Sequence, residues 1–250
     1  MSPEDSNLQT FSSRRIMRRY ARLGDLFTSE RVILEKLRAR IGDRKLLEIG
    51  VGGGRMTRAL LDLSSDYTAI DYSPAAIEAT RRRFSLDSIY QCDMRDMRRF
   101  RCGTFDFAIC AYNGLDYVDH EGRLKALSEI HRVLKPGAVF MFSTHNLNFR
   151  YAGMPPWRWR DRSLREFAGS LIFYPRHLLM KRHEVRAQNY AILNDLVHRY
   201  SILTYYISPL DQIKQLKSSA FRHVNVYDAQ GEPRGADESQ MFAYYTALNG

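Results

Sequence analysis

The stretch that most limits what this chain can become is Leu46–Thr57, which reads Leu-Leu-Glu-Ile-Gly-Val-Gly-Gly-Gly-Arg-Met-Thr. A short apolar run (Leu46, Leu47, Ile49, Val51) meets a glycine cluster, then Met56–Leu63, whose apolar residues fall at helical spacing. Strand, tight turn and helix in that order open a nucleotide-binding α/β unit. Glycines at 50, 52 and 54 let backbone come close to a ligand where a Cβ would collide. Amide N–H groups at the start of the next helix favour electron-rich ligand groups. A dinucleotide fingerprint needs glycine at its first, third and sixth positions. Counting from Gly50, the sixth residue is Arg55. The pattern present is Glu-x-Gly-x-Gly-x-Gly, starting at Glu48.

Strand and helix signals alternate downstream, as a parallel sheet requires. Tyr67–Asp71 is a short strand ending in a carboxylate, 17 residues after Gly54. Open parallel sheets bind ligands beyond the carboxyl ends of their strands, where Asp71 can accept hydrogen bonds from two vicinal ribose hydroxyls. Ser73 is placed to cap a helix that begins at Pro74. Ile89–Met94 is a third strand, with Asp93 near its end. Phe105–Ala111 is apolar almost throughout, as expected of a strand buried on both faces. A helix over His120–Leu134 stops at Lys135-Pro-Gly137, and Val139–Thr144 is the fifth strand.

Together these segments resemble the class I S-adenosylmethionine (SAM) dependent methyltransferases. The glycine pattern is similar to their motif I, Asp71-Tyr72-Ser-Pro to motif II, and Tyr112-Asn113-Gly-Leu-Asp-Tyr occupies the motif IV position. Arg-Val-Leu-Lys-Pro-Gly-Ala is close to their Leu-x-Pro-Gly-Gly signature, with Ala138 for the second glycine. The resemblance implies an α/β, three-layer Rossmann-like sandwich. Its sheet has seven mostly parallel strands with an antiparallel last strand, and here an insertion follows strand five. It implies SAM as cofactor, no metal, and an enzyme that methylates an acceptor. The residues it carries over for the cofactor are Glu48, Gly50, Gly52, Gly54, Asp71, Tyr72, Asp93, Met94 and Tyr112. Candidates for the reaction lie at the ends of strands four and five: Tyr112, Asn113 and His145, then Asp116, His120 and Asn146. Histidine titrates near neutrality, and His145 follows strand five directly, so it is the preferred base. A loop-capping role competes for the same residue. Asn113-Gly114 lacks the Asn/Asp-Pro-Pro-Tyr pattern of enzymes that methylate amino groups of nucleic-acid bases.

The expected organisation is one domain over 1–250, with an N-terminal helical region at 1–42 and a substrate-covering insertion at 145–207. Residues 1–10 are polar and expected to fray. A helix is predicted over Phe27–Arg40, capped by Thr28 or Ser29. Tyr20, within the arginine-dense Arg14–Tyr20, is a candidate cofactor contact or packing residue. Trp157-Arg-Trp-Arg precedes an amphipathic stretch, Ser163–Phe173, which Pro175 is expected to break. Tyr190–Leu193 and Val197–Ile207 read as a hairpin around Asn194-Asp195. Ser208, Pro209 and Asp211 announce another helix, and Val224–Tyr227 with Met241–Ala247 supply the last two strands.

The chain has 250 residues, ample for a core, and a net charge of +10. That charge suits an anionic partner or simply solvated helix faces. Cys92, Cys102 and Cys110 form no Cys-x-x-Cys pair and suggest neither zinc nor a disulfide framework. Without a secretory leader or a run long enough to span a membrane, the chain is expected to be cytoplasmic. The favoured acceptor is an O or N of a small molecule (a sugar, secondary metabolite or peptide) held under the aromatic insertion. RNA docked on the arginines of 14–22 and 150–186 is the alternative. A non-catalytic SAM-binding subunit, a homodimer through the insertion, and a variant with Leu164–Leu179 lying on anionic lipid complete the readings.

Overall fold

A computed structural model describes Asn7, Thr10 and residues 26–154, 164–195, 199–235, 237 and 239–250; within 164–170 it describes the helix but not the side chains. The calls on Tyr20, Arg14–Tyr20 and Trp157–Arg160 lie outside these residues. The first half alternates helix and strand except between β3 and β4, which a loop joins: α1 (Thr28–Ile41), β1 (Leu46–Ile49), α2 (Thr57–Leu61), β2 (Tyr67–Asp71), α3 (Pro74–Phe84), β3 (Ile89–Gln91), β4 (Phe105–Cys110), α4 (His120–Val133) and β5 (Leu134–Asn146). The second half adds α5 (Leu164–Met180), β6 (Val185–Arg186), β7 (Tyr190–Leu193), β8 (Thr204–Ile207), α6 (Pro209–Ser218), β9 (Phe221–Tyr227) and β10 (Phe242–Asn249).

Strands β3, β2, β1, β4 and β5 pair in that order and all in parallel; β10 then runs antiparallel between β5 and β9. This is the expected seven-stranded arrangement, and the period-2 alternation of its side chains builds both cores. Leu47, Ile49, Ala108, Cys110, Phe140 and Phe142 face α4 and α6 through Ala126, Leu127, Ile130 and Leu216. Leu46, Phe107, Ile109, Val139 and Met141 face the other layer, where Ile33, Leu34, Leu60 and Ile77 of α1, α2 and α3 pack. Neither face meets water, so these strands are apolar in nearly every residue.

Among the described residues the sheet has ten strands rather than seven, because the insertion adds β6, β7 and β8 as an antiparallel meander. The predicted hairpin is present, although its second strand starts only at Thr204. β5 reaches past the end of β4: His145 pairs with Phe242 of β10 on one edge and with Tyr206 of β8 on the other. β8 therefore takes up the edge that β4 leaves, beside the turn that follows Cys110.

Helix ends follow local chemistry. Ser73 and Ser208 accept the Ala76 and Asp211 N–H groups, as predicted, with proline at the first helical position in both. At α1 neither Thr28 nor Ser29 caps; Glu30 reaches back to accept the Phe27 N–H at 2.9 Å. Pro175 does not break its helix, which runs on to Met180.

Candidate cofactor and acceptor site

Four parallel strands end at one rim, and a cavity of about 500 Å³ opens there. Glu48, Gly50, Gly52, Asp71, Tyr72, Asp93, Met94 and Tyr112 line it, eight of the nine residues carried over for the cofactor. The glycine turn is docked on β2: the Gly50 and Val51 N–H groups both donate to Ile70 O. Gly50 sits at φ +74°, and a Cβ there would meet no protein atom within 4 Å, so backbone conformation selects glycine. Gly54, the ninth residue, lies off the cavity. A Cβ at Gly54 would stand 2.6 Å from the Phe84 ring, so this glycine lets α3 pack against the turn.

Asp71 is buried and accepts from backbone groups that include Ser73 N–H at 2.8 Å, Gly52 N–H at 2.9 Å and that of Tyr72. Burial pushes its carboxyl up to about 6, against the downward pull of those hydrogen bonds. A carboxylate offers about four lone-pair sites, so Asp71 retains acceptor capacity at the cavity wall, as vicinal hydroxyls require. Asp93, half-buried, is held below the usual carboxylate range: burial raises it, but hydrogen bonds from Arg95 outweigh that.

Glu48 lies deeper. One carboxylate oxygen takes the Thr57 hydroxyl at 2.9 Å and the Tyr67 hydroxyl at 2.5 Å. Burial raises its carboxyl to about 7, and the same burial, with Glu48 beside it, raises the Tyr67 phenol.

Past β4 the chain turns through two left-handed residues, Tyr112 (φ 53°) and Asn113 (φ 60°). Tyr112 stacks on Phe27 at 5.5 Å, and the Arg55 guanidinium lies 5.0 Å from one ring and 5.3 Å from the other. Arg55 also grips Glu30 through two hydrogen bonds. This cluster fastens α1 to the cavity wall.

The other reaction candidates are not brought to the cavity. Asn113 is buried, its N–H on Ser143 Oγ and its side-chain oxygen without a partner among the described residues. His145, the preferred base, is buried between Tyr206 and Phe242, with Nδ1 2.6 Å from Asp116 Oδ2. The pairing of β5 with strands on both edges at His145 explains the difference. Residues expected to form a loop after strand five are still strand, and the ring points into packing. Asp116 is itself buried, bound by Arg123, Thr144 and the His145 N–H. His120 stacks on Tyr190 at 4.1 Å and shares a hydrogen bond with the Tyr205 hydroxyl. Asn146 donates to Asp237 O and Gln240 O.

Among the lining residues that the sequence does not single out for the site are Arg55 and Asn7. In the sequence Arg55 stands only where a dinucleotide motif needs glycine. Asn7, in a tail expected to fray, lines the cavity and is buried; it donates to Tyr117 O and Leu203 O and accepts the Leu203 N–H. A polar tail gives no periodic signal of such a contact. No group of His, Cys, Asp and Glu suited to a metal occurs among the described residues.

Comparison with known proteins agrees with this architecture. Residues 46–137 match the sequence model of a family described as Methyltransferase domain. A ubiquinone biosynthesis O-methyltransferase of Xanthomonas campestris pv. campestris is 30% identical over 123 residues, covering 46% of this chain and 49% of that protein. The chain thus matches about half the length of such relatives. Among solved structures, a SAM-dependent methyltransferase of Methanosarcina mazei has TM-score 0.59 at 16% identity, covering 90% of this chain and 98% of that one. The N-methyltransferase NodS of Bradyrhizobium japonicum has TM-score 0.52 at 17% identity, with 88% and 83% covered. Residues 46–137 are thus similar to a methyltransferase domain, and the fold is similar to that of SAM-dependent methyltransferases.

Proposed function

We propose that this chain, whose residues 46–137 match the sequence model of a methyltransferase domain, uses SAM to methylate an oxygen or nitrogen of a small molecule. The observation that carries the reading is the single cavity wall built from the carboxyl ends of β1, β2, β3 and β4. SAM, when bound, supplies a methyl group already activated on a sulfonium. The chain's task is then to hold the acceptor atom in line, at about 3–3.5 Å. In this reading Asp71 accepts from the ribose hydroxyls, Asp93 and Met94 flank the base, and the Gly50–Gly53 backbone takes the amino-acid end. Tyr112 stands at the reactive end, held by Phe27 and Arg55.

In this reading the insertion borders the acceptor side through Asn7, since none of its described residues lines the cavity. Its strand β8 extends the edge left by β4, and Leu203, just before it, is tied through Asn7 to the Tyr117 carbonyl. Names among the relatives include both O- and N-methyltransferases, which suits an acceptor of either kind. The test is turnover with methyl-labelled SAM against separate pools of phenols, amines, sugars and RNA. Label in a small molecule supports the proposal; label confined to RNA, abolished by raised salt, overturns it.

A further inference from the structure

Helix α5 faces the wrong way for a globular protein. At 100° per residue, Phe173, Tyr174, His177 and Met180 share one side. That side meets the body: His177 Nδ1 bonds Asn194 Oδ1 at 2.9 Å, and the Tyr174 and His177 rings pack on Tyr200. The opposite side carries Leu171, Ile172, Pro175, Leu178 and Leu179. There Leu171 is 43% exposed, Ile172 71%, Leu178 56% and Leu179 69%. The large apolar side chains point to water, while the polar anchor points inward.

Charge selects what covers this face. From Leu171 to His183 there is no Asp or Glu, while Arg176, Lys181 and Arg182 are all exposed. Glu184, next in line, is turned onto the Asn194 N–H. An apolar stripe edged with cations matches a bilayer surface with anionic headgroups, where each basic residue near the surface adds attraction. A second copy of the chain matches less well, because pairing through this face brings together two surfaces that both carry Arg176, Lys181 and Arg182 and no acid from Leu171 to His183, in a chain of net charge +10. No helix among the described residues is long and apolar enough to cross a membrane, so α5 would lie on it rather than span it.

We propose that α5 docks the protein on anionic lipid through Leu171, Ile172, Leu178 and Leu179, with Arg176, Lys181 and Arg182 at the headgroups. The docked face is coupled to the cavity. Asn194, which receives His177, donates to Tyr200 O and Ile202 O; the adjoining Leu203 holds Asn7 at the cavity wall. A bilayer under α5 therefore lies against the segment that borders the proposed acceptor side.

The experiment is sedimentation of the full chain with vesicles of phosphatidylcholine alone, or of phosphatidylcholine with phosphatidylglycerol, at low and raised salt. Binding to the anionic vesicles, weakened by salt, is expected. Ile172→Glu with Leu179→Glu, and separately Arg176→Glu with Lys181→Glu and Arg182→Glu, should each lower it by about tenfold or more. Circular dichroism and S-adenosylhomocysteine binding should stay unchanged, because none of these residues lines the cavity. Three results overturn the proposal: no anionic preference; binding that survives both sets of substitutions; or a concentration-dependent dimer abolished by the apolar pair without vesicle binding. The apolar and charge variants are read independently, so misfolding of one leaves the other to decide.

Discussion

At the scale of single residues, two buried carboxylates sit on one cavity wall and lead to different experiments. Asp71 combines buried backbone hydrogen bonds with a place on the cavity wall. Losing hydrogen bonds to a charged acceptor costs about 1.5–3 kcal/mol. Asp71→Ala should therefore weaken S-adenosylhomocysteine binding by roughly ten- to a hundredfold, read by calorimetry on folded protein. Unchanged affinity would remove Asp71 from the site. Glu48 makes a prediction about stability. Burial lifts its carboxyl from an ordinary 4.5 to about 7, so the fold favours the protonated form. Its contribution is fully present below about 4.5 and is lost as pH rises through about 7, a decline of about 3 kcal/mol. Glu48→Gln should stabilise the protein at pH above 7 and flatten its melting temperature across that window. A variant that melts lower than wild type at pH 8 would contradict this. Asp71 was legible from its place at a strand end, and Glu48 from its distance to the glycines. Arg55 and Asn7 were not, because their roles depend on Glu30, Tyr112, Tyr117 and Leu203, partners remote in sequence.

Among the elements, Arg123 of α4 joins more parts than any motif suggested. Its guanidinium is wholly buried and donates to Leu115 O, Asp116 Oδ1, Thr144 Oγ1, Gln212 Oε1 and Gln215 Oε1. It thereby fixes the turn after β4 to β5 and α6, and its face lies 4.5 Å from the Tyr205 ring of the insertion. Removing one partner of a buried ion pair leaves the other charge uncompensated, at about 3–5 kcal/mol. Arg123→Met should cost that much in chemical denaturation, and much less when combined with Asp116→Asn; a cost below about 1 kcal/mol would mean the pair is not coupled. Sequence pattern found β1 to β5, β9 and β10 because each is an apolar run between turn signals. It stopped β5 too early because His145 and Asn146 are polar, and their burial depends on β8, which lies some sixty residues later. That misplacement made His145 a candidate base. With Nδ1 held by Asp116, His145→Gln should lower the melting temperature without displacing the pH profile of methyl transfer. A shifted profile would return His145 to the reaction.

Viewed whole, the molecule divides into a sheet legible from its motifs and an insertion legible only in outline. Glycine spacing, the acid that ends β2 and the Lys-Pro-Gly that stops α4 each follow from local chemistry, so the doubly covered sheet could be anticipated, although Lys135-Pro-Gly137 forms an irregular start to β5 rather than a turn before it. The insertion's strands were visible as β-branched and aromatic runs, but nothing local announced that they would continue the edge of β4. Helix α5 likewise read as amphipathic, while which side it would turn outward depended on Asn194 and Tyr200. The cavity belongs to the first half and touches the insertion through Asn7, and the central claim is that this cavity takes SAM rather than a dinucleotide. Calorimetric titration of the full chain with SAM, S-adenosylhomocysteine and NAD tests that claim most directly. The account predicts one-to-one binding of SAM and S-adenosylhomocysteine, weakened by Asp71→Ala, and no heat from NAD; NAD binding without SAM binding would contradict it.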